Sequence, residues 1–289
     1  MVHLDRFIKW MTMQHYSPQT IKEYKREIER FLSYLQQENL PYDALQMPDI
    51  EDYIFSIDAS ERTRNRSLSS VKAFYRFMVS RGILVADPAK PVKSIRTKRK
   101  NPVFLSEEEY LSLFHLLDGQ DGFIQERDRV MIAILLTTGI RVSELVQIAF
   151  KNISLDRSGR VTLEVLRKGQ EMDFIYLNSQ VSALFSSYLQ KRRQISVESE
   201  RVFLSYRLGT LERSAVYRLV RKYLGKCGIE KNKKGPHILR HTFATTLMKK
   251  DVSLFKIKEL MNHKNISTTE KYLHVVEEDL KDVVEQIKL

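Results

Sequence analysis

The segment PAKPVKSIRTKRKNP, running from Pro88 to Pro102, separates two long stretches of helical patterning, and one continuous core cannot pass through it. Its three prolines remove backbone donors and fix φ, five lysines or arginines follow Pro91, and no acid offsets them. Such a stretch reads as an exposed linker. The chain therefore divides into a helical domain over 1–88, a basic linker over 89–102 and a larger domain over 103–289. With 289 residues, 43% of them hydrophobic, there is material for two ordinary cores.

The first domain shows amphipathic helices. Ser17-Pro18 offers a cap and a first-turn proline for a helix running to about Gln37, with Ile21, Tyr24, Ile28, Phe31, Leu32 and Leu35 on one face. A second long helix is predicted from Ser60 to Arg81, with Leu68, Val71, Tyr75 and Met78 inward and Gly82 ending it. Shorter pieces at 3–13 and 48–56 complete a four-helix unit. In the second domain Ser106 and Glu109 form a capping box, and an apolar helix around Asp128 to Thr137 ends at Gly139. The runs ISL, RVTLEVL and DFIYL predict a small antiparallel sheet, and everything from 178 onward reads as helical. The fold class is mostly α, with one minor sheet.

Charge narrows the function. The formal net charge is +12, and residues 62–100 hold twelve lysines or arginines against the single acid Asp87. A concentrated positive field of this kind suits a polyanion, through counterion release, although a solvated helix face is the plainer explanation of any charge run. Candidate DNA contacts are Arg62, Arg64, Arg66, Lys72, Arg76, Lys93, Arg96, Lys98, Arg99 and Lys100. No apolar run approaches the roughly 20 residues of a membrane helix, and MVHLDRFIKWM lacks a signal-peptide core, so no membrane partner and a cytoplasmic location are expected. Cys227 is the only cysteine, which excludes an intrachain disulfide and a cysteine metal cage.

Six residues could carry chemistry. Arg141 emerges from TTGIRVSEL beside a buried helix, where either a ligand or a salt bridge to Glu144 would explain it. Lys168 sits in RKGQE at a predicted hairpin tip, the position of many solvated lysines. In HILRHTFAT, His237 and Arg240 are three apart on a helix and project together. His237 and His241 have zinc-like spacing, but position 238 is Ile238 rather than the glutamate of a hydrolytic metal site, and no acidic cluster stands nearby. Downstream, LMNHKNISTTEKYLHV offers His263, a second capping box from Ser267 and Glu270, and Tyr272. Together these suit a phosphodiester undergoing in-line displacement: arginines pair the non-bridging oxygens, histidines move protons, a lysine protonates the departing alkoxide and a tyrosine attacks.

The order Arg in TTGIRVSEL, Lys in RKG, HILRH, then NH with Tyr nine residues later resembles the tyrosine recombinase and phage integrase family, most of all its Xer-type members. SPQTIKEYKREIERFLSYL and RNRSLSSVKAFYRFMVSRGILVADPAK resemble that family's SAM-like core-binding domain. The resemblance implies a DNA clamp whose catalytic domain uses Arg141 and Arg240 on the scissile phosphate, Tyr272 as nucleophile, His237 for proton transfer, His263 on a phosphate oxygen, Lys168 as general acid and Glu144 in support. It implies a 3′-phosphotyrosyl intermediate, a Holliday junction, and no requirement for a metal or ATP. Four protomers on two double-stranded sites are implied, with Val276, Leu280, Val283, Val284 and Ile287 forming a tail stripe that packs into a neighbour or onto its own domain. A second recombinase and a DNA translocase are further partners of some Xer-type enzymes. Dimer resolution is the role expected first; integration or excision of a mobile element, DNA inversion, a type IB topoisomerase and a catalytically silent DNA-binding protein are the alternatives.

Overall fold

The architecture is that of a computed structural model, which describes residues 2–97, 101–118, 122–167, 171–232, 234–262 and 269. Two compact units emerge, Met1–Arg99 and Lys100–Leu289.

The first unit contains four helices, α1 (Val2–Met13), α2 (Pro18–Gln37), α3 (Met47–Ser56) and α4 (Glu61–Ser80). The Ser17 hydroxyl accepts from the Thr20 amide at 3.1 Å, which satisfies one of the orphan donors at the start of α2. Ser60 does the same for α4. The apolar stripes meet in an aromatic core of Phe7, Phe31, Tyr53, Phe74 and Tyr75, all essentially inaccessible to solvent. Buried phenols need partners, and the Tyr75 hydroxyl donates to Tyr42 O at 2.9 Å.

The expected exposed linker is corrected in its first half. Ala89 and Val92 are buried against this core and Ile95 packs on it. Asn65 on α4 fixes the segment in both directions, donating to Ile95 O and accepting from Ile95 N at 2.8 Å each. The reason lies in the spacing: Ala89, Val92 and Ile95 recur every third residue, an apolar edge that the prolines and lysines between them obscure.

The second unit begins with α5 (Glu107–Asp118), opened by the Ser106–Glu109 capping box, followed by α6 (Phe123–Thr138) and the single turn α7 (Val142–Leu145). After a 3₁₀ turn at Phe150–Asn152 come β1 (Ile153–Leu155), β2 (Val161–Leu166) and β3 (Met172–Tyr176), in that spatial order and antiparallel throughout. Val161, Leu163 and Val165 alternate into the core, with Ile175 beside Leu163 on β3. The remaining helices are α8 (Ser179–Arg193), α9 (Arg213–Lys226), α10 (Pro236–Lys249) and α11 (Leu254–Leu260). Residues Val130 to Leu136 of α6 are all buried, making it the central helix.

Between α8 and α9 the helical expectation fails. Residues 194–212 are held instead by bridges pairing Ala149 with Arg201 and Leu204 with Thr210. Val202, Phe203 and Leu204 are three consecutive buried residues, a pattern that extended backbone can bury and a one-faced helix cannot. The buried Arg127 of α6 secures the segment by donating to Leu204 O at 2.5 Å.

Candidate active site

Helix α6 ends because Gly139 adopts the left-handed conformation, φ 62°, its amide donating to Leu135 O at 3.2 Å. A Cβ there would stand 2.5 Å from a ring carbon of Phe243, so glycine is also what lets α10 approach the turn. The turn delivers Arg141 to the start of α7. Glu144 then accepts from the Arg141 amide at 2.9 Å and from its Nη1 at 3.0 Å. The salt bridge weighed in the sequence is therefore real, yet 38% of the Arg141 side chain remains exposed, and its Nη2 donates to Asn262 O at 3.1 Å.

Helix α10 supplies His237 and Arg240 one turn apart. Arg240 is buried, donating through Nη1 to Gly139 O and through Nη2 to Met261 O at 2.5 Å. Exposed His237 meets the Tyr217 ring edge-on, with centroids 6.0 Å apart. His237 and Arg141 line one cavity of about 950 Å³, together with Ser143, Gln147, Arg201, Arg213 and Tyr217. Arg240 is not part of that lining; it holds the same two backbone segments together from the buried side. The two guanidiniums thus meet consecutive carbonyls, Asn262 and Met261, from different elements. Lys168, His263 and Tyr272 lie outside the described residues, as do Lys98, Arg99, Lys100 and the tail stripe from Val276 to Ile287.

Two charged residues outside the sequence-predicted set, Arg167 and Asp173, lie beside Glu144 and Asn262. Arg167 is 5% exposed, with Nη1 at 3.7 Å from Glu144 Oε2 and Nε at 2.8 Å from Asp173 Oδ2. These are ion pairs by proximity, since neither N–H is aimed well enough for a hydrogen bond. Asp173 in turn accepts from Asn262 Nδ2 at 3.2 Å. A signal was present: Arg167 continues the inward alternation of Val161, Leu163 and Val165, and Asp173 shares the parity of Ile175. Charged residues on a buried parity require partners.

The candidate DNA contacts fall into two groups. Arg62, Arg76, Lys93 and Arg96 are exposed. The others have partners within the unit: Arg64 Nε donates to Ile57 O at 2.9 Å, Lys72 Nζ to Val92 O at 2.5 Å, and Arg66 reaches the buried Glu27 at 3.5 Å. Among the described residues, no helix is long and apolar enough to cross a membrane.

A mostly helical chain with a small sheet and two arginines converging beside a cationic cavity has close counterparts. The phage integrase family model matches residues 103–279, and the phage integrase N-terminal SAM-like domain matches 4–82. The chain belongs to the phage integrase family. It is a DNA strand-transferring tyrosine recombinase of Xer-like character. Tyrosine recombinase XerC of Caldanaerobacter subterraneus subsp. tengcongensis is 30% identical, over 97% of this chain and 85% of the relative. In fold, XerH site-specific recombinase bound to palindromic difH substrate aligns with a TM-score of 0.79 at 20% identity, covering 92% of this chain and 79% of that one. The Tn1549 transposon integrase in complex with circular intermediate DNA aligns at 0.72 and 22% identity, covering 93% and 94%.

Proposed function

We propose that this recombinase cuts DNA by attack of the Tyr272 hydroxyl on a phosphodiester gripped by Arg141 and Arg240. The observation that carries the reading is the convergence of those two side chains, one from the turn before α7 and one from α10, on the consecutive carbonyls of Asn262 and Met261, immediately before His263 in the chain. A guanidinium offers five donors in a plane, so it can keep such carbonyl contacts and still present N–H groups to a phosphate. Charge that builds on the non-bridging oxygens is then met by fixed cations.

In the proposed step the bond from phosphorus to the 5′ oxygen breaks as the bond to the tyrosine oxygen forms. The phenol proton passes to His237, and Lys168 gives a proton to the departing 5′ oxygen. His263 donates to a phosphate oxygen, and Glu144 keeps Arg141 in place. Attack by the 5′-hydroxyl of a partner strand reverses the step, so the phosphodiester energy is retained and neither ATP nor a metal is consumed. The domain over 1–88 and the linker over 89–102 would hold the duplex, with Arg62, Arg64, Arg66, Lys72, Arg76, Lys93, Arg96 and Lys98 to Lys100 on phosphates.

The role proposed is Xer-like: resolution of chromosome or plasmid dimers in the cytoplasm by a tetramer on two paired sites, with a second recombinase or a DNA translocase as partner. The fold shared with a transposon integrase favours a second reading, excision or integration of a mobile element, which uses the same chemistry at different sites.

The test is incubation of wild type and Tyr272→Phe, in EDTA without ATP, with nicked duplexes carrying candidate sites. Wild type should give a covalent protein–DNA band under denaturing conditions and the variant none, although both bind. An adduct in Tyr272→Phe would move the nucleophile elsewhere, and the site that reacts separates the two roles.

A further inference from the structure

We infer that Arg167 is a positioning residue for this reaction, the hub of a closed ring that aims Arg141 and preserves its charge for the phosphate. The inference rests on the proposed function. The ring runs from the Arg141 guanidinium to Glu144 at 3.0 Å, from Glu144 to Arg167 at 3.7 Å, and from Arg167 to Asp173 at 2.8 Å. It continues from Asp173 to the Asn262 amide at 3.2 Å and closes from Asn262 O to Arg141 Nη2 at 3.1 Å. Four separate pieces of chain meet in it: α7 with the residue before it, the end of β2, β3, and the segment after α11.

The charges explain the arrangement. Glu144 is buried and bonds Arg141 directly, and a lone carboxylate there would cancel the cation that a phosphate needs. Arg167, with 3% of its side chain exposed, supplies a second positive charge to the same carboxylate, and Asp173 balances Arg167 from the far side. Two guanidiniums and two carboxylates alternate, and only Arg141 faces the cavity. Without Arg167 the ring would hold one positive charge against two negative ones, a field opposed to an incoming phosphate. The unaimed N–H groups of Arg167 fit a contact that tightens when the phosphate arrives. Arg167 also pins the end of β2, its amide donating to Glu171 O at 2.9 Å, at the point from which the chain proceeds to Lys168.

The experiment compares full-length wild type, Arg167→Met, Asp173→Asn and the double variant on a duplex that wild type has been shown to cleave. It follows covalent-complex formation at saturating DNA, DNA affinity and thermal unfolding. Arg167→Met should slow cleavage by about 100-fold, the scale of a misplaced reacting group. Asp173→Asn, which lets Arg167 pull Glu144 from Arg141, should slow it by roughly tenfold. Affinity should stay within about twofold, because many phosphate contacts set it. In Arg167→Met both carboxylates keep another partner, so the variant should fold. The double variant restores charge balance and should cleave on the order of tenfold faster than Arg167→Met.

A single variant that cleaves within twofold of wild type, or a double whose loss is the product of the single losses, would overturn the inference. So would a loss of cleavage matched by equal losses in affinity and melting temperature, which marks a merely structural residue. If Arg167→Met does not fold, Asp173→Asn decides alone. Failure of wild type to form an adduct is instead a failure of the proposed chemistry, and it appears before any ring variant is compared.

Discussion

In the helical unit a buried carboxylate gathers arginines; in the catalytic unit a buried guanidinium gathers carboxylates. Glu27, with 1% of its side chain exposed, lies 3.1 Å from Arg26, 3.4 Å from Arg30 and 3.5 Å from Arg66, each about half exposed. Arg167 lies between Glu144 and Asp173 and shows almost nothing to solvent. Burying the anion turns three cations outward and leaves a surplus, a broad field suited to any stretch of duplex. Burying the cation consumes the charge internally and leaves one arginine held at a fixed angle. On the proposed reading, the same ion-pair chemistry would serve affinity in one unit and aim in the other.

The largest effects should separate the two arginines within the catalytic unit. Arg141→Ala and Arg240→Ala should each lower cleavage by about 10²–10³-fold, the scale for loss of one transition-state donor. Their stabilities should differ. Arg240 is buried and its removal leaves the carbonyls of Gly139 and Met261 without that donor, at about 1–3 kcal/mol for each group left unsatisfied. Arg141 is 38% exposed, and when its side chain is removed the buried Glu144 keeps the backbone amide of residue 141 and the nearby Arg167 charge, so Arg141→Ala should destabilise the fold less than Arg240→Ala does. Suicide-substrate cleavage and urea unfolding measure the two quantities. Equal destabilisation would mean that the buried clamp and the exposed one are not distinct.

A middle-sized effect compares the glycines that end α4 and α6. Gly82 has φ +65° and Gly139 φ +62°, but an added Cβ meets nothing within 4 Å at Gly82 and the Phe243 ring at Gly139. Gly82→Ala should cost only the left-handed penalty, about 1–2 kcal/mol, in the unfolding transition of the helical unit. Gly139→Ala adds overpacking of a further 1–3 kcal/mol or so in the catalytic unit, and should slow cleavage because the turn carries Arg141. Similar shifts from both substitutions would remove the argument that α10 depends on that close approach.

Much of this was legible beforehand because it depends on local signals. The Ser17 cap, the start of α4 near Ser60, the Ser106–Glu109 box, the end of α6 at Gly139 and the three short strands all follow from neighbouring residues. The misses have a common cause in tertiary contact. Ala89, Val92 and Ile95 look like linker until a core is present for them to cover, and Val202 to Leu204 are ambiguous until β-bridges give them extended partners. In the candidate site, the motifs pointed to Arg141, His237 and Arg240, but a motif cannot show that Arg240 is buried while Arg141 and His237 line a cavity. Arg167 and Asp173 could have been found from strand parity, since two charges on an inward face must pair with each other or with a third group.

The smallest expected effect tests the display of cations around Glu27. Arg66→Ala removes one of three partners, and Arg26 and Arg30 continue to compensate the buried carboxylate. Because Arg66 is half exposed, stability should change by less than about 1 kcal/mol. If its outward face meets a phosphate, the salt dependence of DNA binding should flatten by about 0.9 in log–log slope, equally for specific and unrelated duplexes. Binding titrations between low and moderate salt, together with an unfolding curve, are sufficient. An unchanged slope at unchanged stability would reduce the cluster to a tie between α2 and α4. A loss of several kcal/mol would show instead that Glu27 needs all three arginines, and the contrast between a displayed cation and a consumed one would no longer hold.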